Sequence, residues 1–274
     1  MGALFGALSS LSVGISEMFG RRGAKAAGVL AVSVVSQGVA ALAAFGMLLW
    51  LPSQPNWPDL GRGAVSGVGF GVGMVAYLGG LMRSSATVIA PMVATLTVVI
   101  PFGVATAGGA DPTGMAALGV GVALVGLLFI TGGGRVGSGA RAGLLWGATS
   151  GLGYGIGLAA LIGTSPSGGP WPAVAQRVVA CLLTVVAAMV VRSPVMPRGT
   201  VRWTALWSGV FGGIASVLYL LGIQVDVLPA AVTGAMFPAV SVALGRLVFG
   251  DSVRPVQVLG LGLVLAGVAG VVAG

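Results

Sequence analysis

The sequence has no histidine, one cysteine and few charged residues, and each shortage excludes a class of function. Charged residues make up 7% of the 274, against about a quarter in a soluble domain. The lack of histidine removes the commonest metal ligand and the usual proton shuttle. A single cysteine, Cys181, excludes an intrachain disulfide. The glycine run Gly132–Arg135 lacks the Gly-Lys-Ser/Thr ending of a nucleotide loop, so we expect no cofactor, no bound metal and no nucleotide-driven step.

What the sequence does contain is apolar residues and glycine. Hydrophobic residues reach 57%, mean hydropathy is +1.08, and there are 50 glycines. This composition predicts a polytopic membrane protein whose helices pack closely. The net charge of +8 comes from basic residues at the ends of apolar runs, where they set topology, so no nucleic-acid partner is expected.

Apolar runs bounded by charges or by Pro/Gly clusters predict an all-α fold with ten transmembrane helices. Met1–Phe19 lacks the basic leader of a cleaved signal peptide, so we interpret it as part of a retained span. Pro91 and Pro101 should each kink the fourth helix. The predicted spans are Gly2–Phe19, Ala26–Leu51, Ala64–Met82, Ser85–Thr106, Asp111–Thr131, Gly143–Gly163, Pro172–Val191, Trp203–Ile223, Pro229–Phe249 and Pro255–Val272.

The two halves of the chain are related. The segment Gly2–Ser16 recurs 141 positions later at Gly143–Gly157, and Gln37 aligns with Gln176. We therefore divide the chain into a first repeat (1–134), a linker (135–142) and a second repeat (143–274). Because five spans is an odd number, the second repeat must be inverted in the membrane, which predicts a solute path on the axis between the repeats.

Loop charges predict the orientation. Basic residues concentrate in the odd-numbered connections, for example Arg21, Arg22 and Arg254, whereas the even connections hold only Arg62. The positive-inside rule then places the odd loops in the cytoplasm and both termini outside.

The chain resembles the EamA-like branch of the drug/metabolite transporter superfamily. The resemblance rests on the ten spans in two halves, on Pro238, on the turn Phe249–Asp251 and on Gly260 and Gly267. The family usually has glutamate where this chain has Asp251, and often has an arginine at the position of Arg177. The resemblance implies a multi-pass secondary transporter of the plasma (bacterial inner) membrane, with export as the expected direction. Members of this branch are often drawn with cytoplasmic termini, which is the alternative to the orientation that the loop charges predict.

A second, local resemblance concerns Glu17. Glu17 followed by Lys25 is similar to the first helix of the small multidrug resistance proteins, whose membrane glutamate couples export to protons. That resemblance implies that Glu17 binds protons and cationic solutes. An acid within a span is itself a functional hypothesis, because its desolvation is costly. The alternative is an ion pair with Arg21, one helical turn away at the membrane interface.

Other polar and aromatic residues within the spans are candidates for the solute path. Arg177 could hold a substrate carboxylate, or its side chain could reach the nearby loop. Gln37 and Gln176 could bind a polar solute or join helices, the latter being favoured. The aromatic candidates for the path are Tyr77, Tyr154, Tyr219 and Trp146.

We expect alternating access for small metabolites or amphipathic compounds, with proton coupling if Glu17 acts as the resemblance implies. The partners are then a small solute, membrane lipid and protons, and the chain is a monomer or a homodimer. A non-transport or lipid-flipping subunit of the same fold is the alternative. A lipid enzyme is disfavoured, because five acids and no histidine offer no convergent catalytic set.

Overall fold

A computed structural model describes residues 1–81, 86–131, 140–237, 239–240, 243–244, 247 and 254–274, and the regular structure of this part of the chain is entirely helical. Short 3₁₀ turns occur at Met47–Leu49 and Pro166–Gly168. The α-helices are α1 (Gly2–Ala27), α2 (Val29–Gly46), α3 (Trp57–Leu81), α4 (Ala86–Ala107), α5 (Gly114–Thr131), α6 (Ala140–Ala160), α7 (Trp171–Val190), α8 (Val201–Val225), α9 (Val227–Gly234) and α10 (Pro255–Ala273).

The helices have the length and surface of a membrane protein. Within the described residues, five helical segments are long and apolar enough to cross a bilayer: α1, α2 with its 3₁₀ turn, α7, α8 and α10. Two shorter apolar stretches lie in α4 and α5. Large apolar side chains point outward, with Leu118 73%, Leu145 71% and Leu265 70% exposed. Such a surface is stable in lipid and not in water.

Several helix ends differ from the sequence prediction. Helix α1 continues through its basic residues to Ala27 instead of ending near Phe19. Helix α3 begins at Trp57, inside the segment predicted to be a polar loop. Asn56 caps it, because the Asn56 Oδ1 accepts a hydrogen bond from the Asp59 N–H at 2.9 Å. Helix α5 begins at Gly114 rather than Asp111.

The predicted ninth span is interrupted. Helix α9 ends at Gly234, where Ala235 and Met236 form a turn. The predicted turn at Phe249–Asp251, the residue Pro238 that belongs to the family resemblance, and most of the predicted linker lie outside the described residues.

The helices pack in two groups that meet through α2 and α7. Bundle one contains α1, α2, α8 and α9; bundle two contains α3, α4, α6 and α7. Helix α1 packs against α8 and α9, and α6 packs against α3 and α4. Helix α5 lies along α10. Helices α1 to α5 correspond in order to α6 to α10. If each helix is replaced by its counterpart, every contact named above becomes a contact that the structure also contains.

The exchange holds at the level of single bonds. Ser9 Oγ on α1 donates to the Ala215 carbonyl on α8 at 2.8 Å, and Ser150 Oγ on α6 donates to the Gly73 carbonyl on α3 at 2.8 Å. Ser9 and Ser150 are 141 positions apart, and Gly73 and Ala215 are 142 apart. The two helix pairs therefore use the same contact at corresponding positions.

Glycine allows α5 and α10 to approach closely. A Cβ at Gly119 would lie 2.6 Å from the Gly267 carbonyl oxygen, and one at Gly126 would lie 2.7 Å from that of Gly260. Gly119 and Gly126 lie 141 positions before Gly260 and Gly267, and each faces the other member of that pair across one interface, the small-residue packing that membrane helices favour.

Candidate functional site

Arg177 lies at the centre of the molecule, in the second turn of α7, and is only 8% exposed. Its Nε donates to Ser216 Oγ at 2.7 Å, one Nη donates to Gln37 Oε1 at 3.0 Å, and the other donates to the Gly212 carbonyl at 2.8 Å. The guanidinium carbon lies 5.4 Å from the ring centroid of Phe70. A permanent positive charge is therefore held by neutral groups and an aromatic face in the interior.

Gln176 extends this network across both halves of the chain. Its Oε1 accepts from Ser216 Oγ at 2.6 Å, and its Nε2 donates to Ser66 Oγ at 2.6 Å. Ser66 Oγ donates in turn to the Gly157 carbonyl at 2.5 Å. One connected set of hydrogen bonds thus joins α3, α6, α7 and α8, and satisfied buried networks of this kind fix a unique arrangement of helices.

Helix packing pairs Gln37 with a residue of the second half that is one position away from the residue chosen by the sequence alignment. A Cβ at Gly67 would lie 2.7 Å from Val179 Cβ, and one at Gly209 would lie 2.6 Å from Val39 Cβ. Val39 and Val179 are 140 positions apart, so Gln37 corresponds in packing to Arg177, not to Gln176 as the sequence alignment had it. The alignment favoured the identical glutamines, whereas helix packing is set by the valines. Gln37 and Arg177 are hydrogen-bonded to each other, so the two corresponding positions meet where the bundles join.

Glu17 lies on α1 and is exposed, and it faces the helices of the other bundle. Its charge acts on the phenol groups of Tyr77 on α3 and Tyr154 on α6, and Tyr154 is also within electrostatic range of Arg177. Both tyrosines are half-buried. Three of the residues predicted from the sequence, Glu17, Tyr77 and Tyr154, therefore lie within electrostatic range of one another, with Arg177 near Tyr154.

Tyr219 lies apart from this group. It is 2% exposed, and its hydroxyl is 3.5 Å from the Leu158 carbonyl. Tyr219 corresponds to Tyr77, and Leu158 to Glu17, at offsets of 142 and 141 positions. The same pair of positions is therefore buried in one place, at Leu158 and Tyr219, and more exposed in the other, at Glu17 and Tyr77. Trp146 packs against α3, because a Cβ added at Gly80 would lie 2.8 Å from the Cβ of Trp146.

A second polar cluster, which the sequence did not single out, lies near Tyr219. Asp59 is 3% exposed; its Oδ2 accepts from Asn56 Nδ2 at 2.7 Å and from Ser165 Oγ and N–H at 2.6 and 3.1 Å. Burial raises the pKa of Asp59, but these hydrogen bonds and the charge of Arg62 outweigh burial and hold that pKa below its ordinary value. The sequence signal was an Asn followed three residues later by Asp, a helix-start pattern.

Residues 141–273 match the model of the EamA-like transporter family. Over these residues, a little under half of the chain, the sequence is similar to the EamA-like transporters. No curated protein matches the sequence. A crystal structure of a protein at 15% identity matches with a TM-score of 0.82, over 98% of this chain and 95% of the other, which at such low identity establishes a shared fold alone.

The EamA-like half supplies most of the central polar network: Arg177, Gln176, Ser216 and Gly212 all lie in it, whereas Gln37 and Ser66 come from the first half. Within the described residues, no group of three or more histidine, cysteine, aspartate or glutamate side chains could hold a metal ion. An apolar groove on the outer surface, between α5 and α10 and including Leu118 and Val122, contains none of the polar candidates.

Proposed function

We propose that this EamA-like chain is a secondary transporter of the plasma membrane that moves a small metabolite or amphipathic compound by alternating access. The proposal rests on the buried polar network around Arg177. This network lies where the two bundles meet, and Tyr154 lies within electrostatic range of both Arg177 and the exposed acid Glu17. The Arg177 guanidinium is buried, and none of its three hydrogen-bond acceptors is a carboxylate. Burial of such a charge is costly, so a protein with only a packing role would gain little from it.

We further propose that the ten helices form two inverted repeats related by an axis through α2 and α7. The paired bonds Ser9–Ala215 and Ser150–Gly73 support this arrangement, as does the contact between Gln37 and its counterpart Arg177. Inverted repeats allow alternating access, because each half can adopt the conformation that the other half shows. Each end of the molecule then has a gate built from corresponding residues. The gate at the Tyr219–Leu158 end is closed, and the gate at the Tyr77–Glu17 end is open.

Proton coupling at Glu17 follows from this exchange. When the Glu17 end closes, Glu17 takes the environment that Leu158 has now, against a tyrosine and 9% exposed. A carboxylate is costly in such a place, whereas a protonated carboxyl is much less so. Closure of this end therefore requires a proton on Glu17, and a positively charged solute near Glu17 would compete with that proton. Export driven by protons is the direction that this competition supports.

By the positive-inside rule, the Glu17 end faces the cytoplasm, because Arg21, Arg22 and Lys25 follow Glu17 on the same helix. The conformation described above is then open to the cytoplasm and closed to the outside.

Solute-driven proton movement in proteoliposomes tests this function. The purified wild-type chain and Glu17→Gln are compared across a panel of amino acids and cationic amphiphiles. We expect at least one solute to drive proton flux in the wild type, and Glu17→Gln to abolish that flux. Asp111→Asn is the matched control, since it removes a carboxylate at the turn after α4 and should leave flux unchanged. Solute flux with equal proton movement in Glu17→Gln would refute coupling at Glu17, and absence of flux with every solute would favour a non-transport or lipid-flipping subunit.

A further inference from the structure

The packed end of the molecule is closed by a direct bond between the bundles. Gln224, near the end of α8 in bundle one, donates from Nε2 to the Ser165 carbonyl at 3.1 Å and to Thr164 Oγ1 at 3.4 Å. Thr164 and Ser165 belong to the connection after α6 in bundle two. Gln224 lies little more than one turn beyond Tyr219 on α8, so both residues contact the α6 side from the same helix.

Asp59 holds the acceptor of this bond in place. The carboxylate accepts from both the N–H and the hydroxyl of Ser165, and Asn56 donates to the same carboxylate oxygen. The connection after α6 is thereby fixed to the start of α3. The Ser165 carbonyl faces Gln224 only while the backbone of Ser165 keeps this position.

At the other end of the molecule, the described positions that correspond to Asp59 and Ser165 lack hydrogen-bonding side chains. The positions that correspond to Asp59 and Ser165 are Val201 and Ala24, and neither side chain can form a hydrogen bond. The position that corresponds to Gln224 is Met82, which lies outside the described residues. The support that Asp59 gives to Ser165 therefore has no counterpart at the corresponding positions of the other end, although the surrounding helices follow the same pattern at both ends.

We propose that Gln224 is the latch of the gate at the Tyr219 end, and that Asp59, through Ser165, is the positioning residue for its acceptor. Opening of the path at this end breaks the Gln224–Ser165 bond, and closing forms it again. The stability of the hydrogen bonds from Gln224 sets how often the gate opens when no solute is bound. The proposal rests on the alternating-access path between the bundles described above.

Thiol accessibility at the packed end tests the latch. In full-length protein with Cys181→Ser, Leu158→Cys places a reporter beneath Tyr219, and the rate of its reaction with a water-soluble thiol reagent measures gate opening in proteoliposomes. We expect slow reaction in this background and a rate about fivefold higher with Gln224→Leu, since a neutral hydrogen bond contributes about that factor to an equilibrium. Asp59→Asn should raise the rate as well, because it weakens the hold on Ser165.

Two controls separate the latch from general loosening. Gln257→Leu removes a similar bond, from Gln257 Nε2 to the Ile130 carbonyl at 3.0 Å in the α5–α10 pair, and should leave the Leu158→Cys rate unchanged. Val98→Cys, at a site 1% exposed in the core of α4, should stay unreactive in every variant. An unchanged rate with Gln224→Leu, or equal increases with Gln257→Leu or at Val98→Cys, would overturn the proposal.

The reporter needs no solute, so its result is independent of the transport assay. A rate that responds to Gln224→Leu in a chain without solute flux would support the latch and contradict the transport function. If solute flux is present but the reaction rate of the reporter does not change with Gln224→Leu, the transport function is supported and the latch is contradicted.

Discussion

At the scale of single residues, the hydrogen bond between Arg177 and Gln37 joins two corresponding positions of the halves at 3.0 Å. Gln37→Leu removes the acceptor and leaves a buried N–H of a charged group unsatisfied. We expect a loss of about 1.5–3 kcal/mol in the free energy of unfolding, measured by thermal unfolding in detergent.

Ser36→Ala is the matched control for Gln37→Leu, because the Ser36 hydroxyl bonds only within its own helix, to the Ser33 carbonyl at 3.2 Å. Its expected effect is below about 0.5 kcal/mol. Equal losses in the two variants would show that the bond to Arg177 contributes nothing particular.

The Asp59 carboxylate predicts a pH-dependent contribution to stability. Its pKa in the folded chain lies below the ordinary value of 3.8, so its bonds stabilise the fold fully above about pH 5 and are lost as pH falls through that lowered pKa. Wild type should therefore be more stable than Asp59→Asn at neutral pH, and the difference should shrink below about pH 4. Thermal unfolding of both chains between pH 7 and pH 3 measures this; a constant difference over the range would contradict it.

The sequence supplied the polar candidates but not their contacts. Arg177, Gln37 and Gln176 were singled out because polar groups are rare in apolar spans, and the structure brings them into one network. Asp59 was not among the candidates, because it was assigned to a loop. Its contact with Ser165 depends on how the connection after α6 packs against the start of α3, which the sequence does not reveal.

At the scale of helices, the α5–α10 interface gives a test in which similar substitutions have opposite signs. A Cβ at Gly119 would lie 2.6 Å from the Gly267 carbonyl oxygen, whereas one at Gly121 on the same helix meets nothing within 4 Å. Gly119→Ala should force the helices apart and destabilise by about 1–3 kcal/mol.

Gly121→Ala should instead be neutral or stabilise the fold by about 0.5–1 kcal/mol, because alanine is the better helix former. Thermal unfolding in detergent measures both variants. Equal effects at Gly119 and Gly121 would mean that α5 and α10 do not approach at these glycines.

Helix boundaries show where sequence patterns are informative. Pro255 at the start of α10 was located correctly, since proline at a first helical position is a strong signal. The start of α3 was placed seven residues late, because Pro52, Pro55 and Pro58 favour a loop reading, although Pro58 fits the first turn of a helix capped by Asn56.

At the scale of the whole molecule, the internal similarity of the sequence predicts two halves, and this division remains a prediction that enters the proposed inverted repeat. The sequence could not show which end is packed, because that depends on the balance between two arrangements of the same helices. Only the difference between Glu17 and Leu158 at corresponding positions hinted at unequal ends.

The most direct test of alternating access is the paired accessibility of Tyr77→Cys and Tyr219→Cys, each in Cys181→Ser, as pH is lowered from 8 to 5.5. Rates of reaction with a water-soluble thiol reagent are normalised to the exposed control Thr200→Cys. If protonation of Glu17 allows its end to close, the Tyr77→Cys rate falls while the Tyr219→Cys rate rises, and Glu17→Gln gives the low-pH pattern at pH 8. Rates that change together, or that ignore both pH and Glu17→Gln, would contradict the account.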